Sequence, residues 1–287
     1  MTIRLLASGD EAALEAFLVR HRDTSMFLRA NVRQAGLDYH GQWAGAAYMA
    51  SFDGTSMTGV VAHCWNGMLL MQAPVEPDRL ARASVERSGR EVSGLVGPPD
   101  HVDAARAALG LAGVPAAMEK PEALYALDLG ELIVPAGMAE AGRTCRAPRA
   151  EERGALHAWG FAYDLETLGA IDTPDARRRS ADFMDARIDA NNAWVAVDRE
   201  GRLLSFASFN AALPDIIQLG GIYTPPELRG RGYAKFSVAH ALLVARERRA
   251  TRAILFTSNP SAVRTYEALG FTRIGDYALV LFNQGRP

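Results

Sequence analysis

A loop rich in glycine and arginine, Arg229–Gly232, lies between an apolar strand and a predicted helix that begins near Lys235. The first turn of a helix carries unpaired N–H groups and the positive end of the helix dipole. Glycine lets the main chain come close to a bound group, and arginine side chains add positive charge. The pattern therefore indicates a phosphate site. A solvated turn that happens to contain these residues is the alternative interpretation.

A second pattern begins 25 residues after Ala234. It reads Asn259-x-x-Ala262-x-x-x-Tyr266-x-x-x-Gly270-Phe271, and a short apolar strand separates it from the first loop. The segment Ser258–Ser261 is typical of a turn that caps a helix, and Gly270 is suited to end that helix. Each pattern by itself is weak, but their order and spacing together are specific.

The two patterns together resemble the acyl-CoA site of the GNAT superfamily of N-acetyltransferases. That family's pyrophosphate signature is Gln/Arg-x-x-Gly-x-Gly/Ala, which Arg229-x-x-Gly232-x-Ala234 matches. The resemblance covers residues 146–282 strongly. It implies acetyl-CoA as cosubstrate, no metal, and a strand 216–223 that diverges from strand 253–257 so that the cofactor fills the gap.

The resemblance also implies roles for individual residues. The main-chain N–H groups of 229–234 would bind the pyrophosphate, and main-chain groups of 221–223 would pair with the pantetheine arm and the thioester carbonyl. Asn259 would contact the pantetheine arm, although it is also a candidate helix cap. Tyr266 would be the general acid for the CoA thiolate, with an amphipathic core residue as the alternative. The implied cofactor-binding residues are Gly221, Ile222, Tyr223, Arg229, Gly230, Arg231, Gly232, Tyr233, Ala234, Asn259 and Tyr266.

Two halves of the chain share an element order of helices, antiparallel strands, helix, strand, helix and strand. The first half has no counterpart of the glycine loop, because the equivalent Pro74–Ala81 is acidic and contains no glycine. We therefore expect an α+β fold of two tandem GNAT-like domains, each a mixed, mostly antiparallel twisted sheet flanked by helices. The expected boundaries are 1–132 for a degenerate domain, 133–147 for a linker and 148–287 for the catalytic domain.

Periodicity and turn signals place the individual elements. Asp53-Gly54 and Asn66-Gly67 predict tight hairpin turns between the first strands. The predicted helices are 10–21, 26–34, 78–87, 100–109, 149–158, 176–187, 235–248 and 260–269. The predicted strands are 43–52, 58–65, 68–72, 92–96, 123–129, 194–198, 203–210, 216–223, 253–257, 273–274 and 277–282.

Composition narrows the class of protein. The net charge is −2 and the pI about 6.3, so no global positive field favours nucleic acid as a partner. No apolar run approaches the roughly 20 residues that cross a bilayer, so we expect no membrane partner. The two cysteines, Cys64 and Cys145, and the six histidines show no metal-like spacing. We expect a cytoplasmic monomer or homodimer.

The leading functional prediction is an N-acetyltransferase that transfers an acetyl group directly to a primary amine of a small-molecule or amino-group acceptor. Glu227, Gln218 and a water chain are alternative bases, and the base is unassigned. Candidates to line the acceptor pocket are Phe161, Tyr163, Asp164 and Glu166. The alternative functions are a non-catalytic acetyl-CoA-binding regulatory or interaction module, and a transferase that uses a longer acyl or an aminoacyl-tRNA donor.

Overall fold

The computed structural model describes residues 1–136 and 142–282. The chain divides into two compact units. The first consists of Met1–Ala123 and the C-terminal segment that starts at Gly275, and the second is Leu124–Ile274. The domain boundaries expected at 132, 133–147 and 148 stay a prediction, and residues 137–141 of the expected linker lie outside the described residues.

The first unit contains a sheet in the order β1-β2-β3-β4-β5-β12. Strands β1 to β4 pair antiparallel with their neighbours, β4 and β5 are parallel, and the end of β12 pairs antiparallel with β5. The two predicted hairpin turns are confirmed, and Gly54 and Gly67 adopt the positive φ angles that such turns require. The elements are β1 (Thr2–Leu5), α1 (Glu11–Val19), α2 (Met26–Ala35), β2 (Ala46–Asp53), β3 (Ser56–Cys64), β4 (Met68–Gln72), α3 (Pro77–Ser88), β5 (Gly94–Gly97), α4 (Pro99–Ala108), β6 (Ala116–Asp128) and β12 (Thr272–Phe282).

The second unit contains the end of β6 and a sheet in the order β6-β11-β10-β9-β8-β7. Strands β10 and β11 are parallel, whereas β7 to β10 pair antiparallel with their neighbours. Both units are thus mixed, mostly antiparallel sheets flanked by helices, as expected. The elements are β7 (Thr144–Arg146), α5 (Arg153–Thr167), α6 (Pro174–Asp189), β8 (Ala193–Val197), β9 (Leu203–Ala212), β10 (Ile216–Tyr223), α7 (Tyr233–Glu247), β11 (Arg252–Thr257) and α8 (Pro260–Glu267).

Helices cover both faces of the second sheet. Val195, Val197 and Phe206 pack with α5 and α6 on one face. Ala196, which lies between the two valines, packs with Phe236 of α7 on the other face. Successive side chains of a strand point to opposite faces, so the alternation in β8 separates the two layers. The face that carries α5 and α6 is called the acceptor face below.

Several elements differ from the sequence predictions. The short strands β1 and β7 are not anticipated by the sequence, and β12 is one strand rather than two. Helix α5 continues to Thr167, beyond the predicted end at Ala158. Gly160 interrupts the helical pattern, but a Cβ at this position would lie 3.0 Å from Met184 Cε. The glycine therefore permits close packing of α5 on α6 rather than ending the helix.

Candidate active site

Strands β10 and β11 diverge at the centre of the second sheet. Three residue pairs join them, Ile216–Arg252, Ile217–Ala253 and Gln218–Ile254. Within the described chain the ladder between the two strands stops there, although β10 runs on to Tyr223 and β11 to Thr257. The divergence exposes main-chain groups of both strands, as the sequence analysis expected for this pair.

A β-bulge turns the main chain of β10 out of the ladder beside this gap. Gly220 pairs with Ser208 and Tyr223 with Phe206, so three steps along β10 oppose two along β9. Gly221 lies in the bulge with φ +66°, a conformation that favours glycine. The bulge releases main-chain groups of Gly221 and Ile222 from regular pairing, which makes them available to a ligand in the gap.

Glycines shape the loop that follows β10. Gly230 and Gly232 both have φ +77°, and a Cβ on either would meet no atom within 4 Å. Gly232 is the N-cap of α7, and Phe236 N donates to Gly232 O at 3.1 Å. The N–H groups of the first turn, which starts at Tyr233, point along the helix axis without intrahelical partners. The loop and helix start therefore form an open anion cradle.

The two arginines of the loop have different surroundings. Arg229 Nη2 donates to Glu166 Oε2 at 2.7 Å, and Arg229 Nε donates to Thr224 O at 2.9 Å. Tyr223 Oη donates to the other Glu166 oxygen at 3.2 Å. The charge of Arg229 is thus partly compensated by Glu166, and its side chain fixes the loop against α5. Arg231 is therefore a better candidate than Arg229 for adding positive charge at a phosphate site.

Arg231 and Tyr233 line a cavity of about 520 Å³ on one side of the cradle. Arg143 stacks on Tyr233, with its Cζ atom 5.1 Å from the ring centroid. The remaining lining is basic on balance, so the local potential favours an anionic ligand. The cavity is lined by Gly142, Arg143, Asp198, Arg199, Glu200, Arg202, Leu203, Leu204, Leu228, Arg231 and Tyr233.

Asn259 caps helix α8. Its Oδ1 accepts hydrogen bonds from Ser261 N at 2.9 Å and from Ala262 N at 3.4 Å. The capping interpretation is therefore confirmed. Because the cap uses only the oxygen, the amide nitrogen is not committed to this role, and a contact with pantetheine stays a prediction.

Tyr266 is buried on α8, and its ring contacts Phe271 edge to face at 5.7 Å. No hydrogen bond joins its hydroxyl to another residue in the described part of the chain. Burial, with a smaller contribution from Tyr163, raises the pKa of Tyr266 well above its usual value. The phenol is therefore protonated at physiological pH, as a general acid must be, but the raised pKa makes it a weaker acid than a solvated tyrosine.

The predicted acceptor residues come from the second half of α5 but divide into three environments. Phe161 is buried beneath Arg177, whose Cζ atom lies 4.5 Å from the ring centroid. Glu166 is held by Arg229 and Tyr223. Asp164 forms a hydrogen bond with Ser180, and burial is the main reason that its pKa is raised. Tyr163 interacts electrostatically with both Tyr266 and Arg187, which connects α5 with α8 and α6.

Two polar residues on the acceptor face, Arg187 and Gln218, also belong to the site. The sequence patterns gave no role to Arg187 and indicated Gln218 only as one of the alternative bases. Arg187 Nη2 donates to Asn210 Oδ1 at 2.9 Å. Gln218 is fully buried on β10, and among the described residues neither of its side-chain polar atoms has a hydrogen-bond partner. Helical spacing places Arg187 on the same stripe of α6 as the buried Ser180 and Met184, a signal that the sequence does contain.

The first unit does not repeat the cradle. At the equivalent place Glu76 has φ +49°, and Arg79 Nη1 donates to Glu76 Oε1 at 2.7 Å. A carboxylate with its own cation therefore occupies the position of the glycine loop. In addition, a Cβ on Gly97 of β5 would lie 2.7 Å from Met71 O of β4, so the parallel strands stay close where β10 and β11 diverge. The loop and the closed strands support the view that this unit is degenerate.

The described residues contain neither a candidate metal site nor a helix that could span a membrane. Within 1–136 and 142–282, no group of three or more His, Cys, Asp or Glu side chains is arranged to hold a metal ion. None of the helices in those ranges is long and apolar enough to span a membrane. Burial raises the pKa of both Cys64 and Cys145 to about 12, which makes these thiols unreactive.

Comparisons with known proteins agree with the geometry. Residues 159–271 match the model of the acetyltransferase (GNAT) family. An Agrobacterium fabrum acetyltransferase is 44% identical over 54 residues, which are 19% of this chain and 39% of that protein. The match therefore spans less than half of that relative's length.

Solved structures share the fold of the whole chain at low identity. A Drosophila protein from a structural genomics consortium has a TM-score of 0.65 and 12% identity, with 99% of each chain covered. A tandem GNAT protein from the clavulanic acid biosynthesis pathway has a TM-score of 0.54 and 13% identity, with 100% of this chain and 99% of that one covered. Residues 159–271 of the chain described above therefore match the GNAT acetyltransferase family, and the chain as a whole shares the fold of a tandem GNAT protein.

Proposed function

We propose that this protein is an acetyl-CoA-dependent N-acetyltransferase that acetylates a primary amine. The observation that carries the proposal is the coincidence of three features at one place in the second unit. Strands β10 and β11 diverge, the bulge at Gly221 frees main-chain groups beside the gap, and the glycine loop opens directly onto the N-terminus of α7. A pantetheine arm needs the first two features, and a pyrophosphate needs the third.

The residues fit acetyl-CoA. Gly232 has φ +77°, a left-handed conformation that disfavours any residue other than glycine. Main-chain groups of 229–234 would hold the pyrophosphate, and those of 221–223 would hold the pantetheine arm and the thioester carbonyl. The hydroxyl of Thr224 is buried and has no hydrogen-bond partner within 1–136 and 142–282, which leaves a further polar group for a ligand just after the end of β10.

Acetyl-CoA, when bound, supplies a thioester whose carbonyl carbon is open to attack by an amine. The protein's own contribution is to orient the reactants, to donate main-chain hydrogen bonds towards the carbonyl and to move protons. In direct transfer a C–N bond forms and the C–S bond breaks. Tyr266 supplies the proton for the leaving sulfur, and the amine loses one proton to a base that is unassigned. One of the alternative bases, Glu227, is exposed on the 3₁₀ turn Pro226–Leu228.

Three finer points belong to the same proposal. The acceptor is a small molecule or an amino group rather than a nucleic acid, because the net charge is −2. The protein acts in the cytoplasm, and it is a monomer or a homodimer. The proposals on location and on oligomeric state rest on the sequence alone.

The test is acetyl-CoA consumption measured as free thiol with a panel of primary amines. We expect release of CoA that depends on the amine and yields one acetylated product per thiol. Hydrolysis of acetyl-CoA without any amine is the background control. If the protein binds acetyl-CoA but acetylates no amine in a broad panel, the proposed activity is wrong and the alternative of a non-catalytic acetyl-CoA-binding module is favoured.

A further inference from the structure

The guanidinium group of Arg187 lies beside the bulge of β10. A Cβ built on Gly221 would be 3.7 Å from both Cζ and Nη1 of Arg187. Arg187 is in the last turn of α6, continues the stripe of Ser180 and Met184, and is partly buried. Its one hydrogen bond, from Nη2 to Asn210 Oδ1, leaves other N–H donors of the guanidinium uncommitted.

Arg187 forms no salt bridge with another residue in the described part of the chain. None of the ion pairs found among the described residues includes it, whereas Arg177 and Arg178 of the same helix pair with Asp172 and Asp175. Asp164 acts on Arg187 only at longer range, and desolvation lowers the pKa of Arg187. A partly desolvated cation without a partner is costly, so such a group points to an anionic ligand.

Gln218 supplies a second and independent observation. It is 0% exposed, and neither Oε1 nor Nε2 has a hydrogen-bond partner in the described structure. A buried amide without partners costs about 1–3 kcal/mol for each unsatisfied group. The register shift between Gln218 and Leu219 places its extra residue, Asn210, on β9, because Gln218 pairs with Ala211 and Leu219 with Phe209. Strand β10 itself keeps its alternation there, so Gln218 and Gly220, two residues apart, share one face of the sheet. Ser208, which pairs with Gly220, lies on the same side as Arg187, because its Oγ is 3.3 Å from a Cβ built on Gly221.

Arg187 and Gln218 thus present unpaired donors on the acceptor face, next to the place where the acyl group is proposed to lie. A guanidinium presents its N–H groups in a planar fork that matches a carboxylate. Glu166 is not available to bind an ammonium group, because Arg229 and Tyr223 hold it, which leaves Asp164 as the acidic group of α5 on this side. A cation without a salt bridge at this position favours an acceptor that carries an anion as well as its amine.

We propose that the acceptor is a primary amine that also carries a carboxylate, and that Arg187 binds this carboxylate while Gln218 donates a hydrogen bond to it. The substrate class is therefore an amino acid or a related amino-carboxylic acid. This inference rests on the proposed function, since it describes the acceptor of the same site. Arg187 is a specificity-determining residue in this account, and acyl transfer itself does not depend on it.

The experiment compares matched ligands that differ only in the carboxylate. Sets such as phenylalanine, phenylalaninamide and phenethylamine, or leucine, leucinamide and isopentylamine, are titrated into CoA-loaded protein by ligand-observed NMR, without turnover. The variants are Arg187→Gln, Arg187→Lys and Gln218→Leu. Arg179→Gln is the matched control, because Arg179 is an exposed arginine on the same helix.

We expect the acids to bind about 10- to 100-fold more tightly than their amides, the range for a charge-assisted hydrogen-bonded pair. Arg187→Gln should abolish that preference without weakening the amides, Arg187→Lys should keep part of it, and Arg179→Gln should keep all of it. Gln218→Leu should weaken the acids and also raise Tm, because it removes two unsatisfied polar atoms. The rise in Tm shows that the variant is folded.

The inference is overturned if acids and amides bind alike, if Arg187→Gln weakens both equally, or if no member of the sets binds. Failure of the proposed function gives a different result. In that case no amine is acetylated, or acetyl-CoA does not bind and the same titration is made on protein without CoA, whereas a preference for acids that depends on Arg187 is still measurable as binding. The two failures are therefore distinguishable on the same protein samples.

Discussion

A Gly232→Val variant is expected to bind acetyl-CoA at least about 100-fold more weakly than the unmodified protein, because at least two charge-assisted hydrogen bonds are lost. Gly232 has φ +77° and caps α7 at the point where the cradle opens. A β-branched residue disfavours this conformation, at a cost of about 1–3 kcal/mol. The loop is therefore expected to rearrange, so that its N–H groups no longer converge on a phosphate.

Isothermal titration calorimetry with acetyl-CoA measures this effect, and Gly54→Val is the matched control. Gly54 also has a positive φ, of +58°, and a Cβ there also meets no atom within 4 Å, but it lies in the β2–β3 hairpin of the first unit. Both variants carry similar backbone strain, so their Tm values should fall by similar amounts. Equal affinity for acetyl-CoA in the two variants would show that the glycine loop is not the pyrophosphate site.

A Tyr266→Phe variant is expected to lower kcat by about 10²- to 10⁴-fold, the usual contribution of a positioned general acid. The affinity for acetyl-CoA should stay unchanged, because the main chain makes the proposed cofactor contacts. The phenylalanine keeps the edge-to-face contact with Phe271, and no hydrogen bond to a described residue is lost. Stability should therefore change by less than about 0.5 kcal/mol. Single-turnover rates with saturating acetyl-CoA isolate the chemical step.

Tyr277→Phe is the control for this experiment. Tyr277 is also buried, and burial raises its pKa in the same way. Its hydroxyl, however, donates to Thr24 O at 3.3 Å in the first unit. We expect this control to lose about 1 kcal/mol of stability and to retain kcat. If Tyr266→Phe has the same kcat as Tyr277→Phe, then Tyr266 is a core residue and not the general acid.

The sequence predicted those parts of the structure that depend on interactions between neighbouring residues, such as turns and helix caps. Gly54 and Gly67 mark hairpins because only certain residues adopt their φ angles, and Asn259 caps α8 because its side chain reaches the first N–H groups. The start of α7 is predicted to within two residues, at Lys235 against an observed Tyr233. The cradle is local as well, which explains why its position can be read from the chain.

Other features depend on contacts between distant segments and leave little trace in a periodic pattern. The pairing of β12 with β5 joins residues 181 to 187 positions apart, from Ala278–Gly97 to Leu281–Gly94. The environments of Arg187, which contacts Asn210 of β9, and of Gln218, whose amide has no hydrogen-bond partner among the described residues, follow from the packing of α6 on the sheet and cannot be read from the sequence. Arg229 also illustrates this limit, because its sequence context indicated phosphate binding while its side chain is held by Glu166.

The central claim is that the chain holds one acetyl-CoA, in the gap between β10 and β11 of the second unit. Calorimetric titration of the intact protein with acetyl-CoA tests this claim most directly, because it reports stoichiometry as well as affinity. The account predicts one site per chain, with affinity that Gly232→Val lowers at least about 100-fold and Gly54→Val retains. Two equivalent sites per chain, no binding at all, or full affinity in Gly232→Val would contradict it.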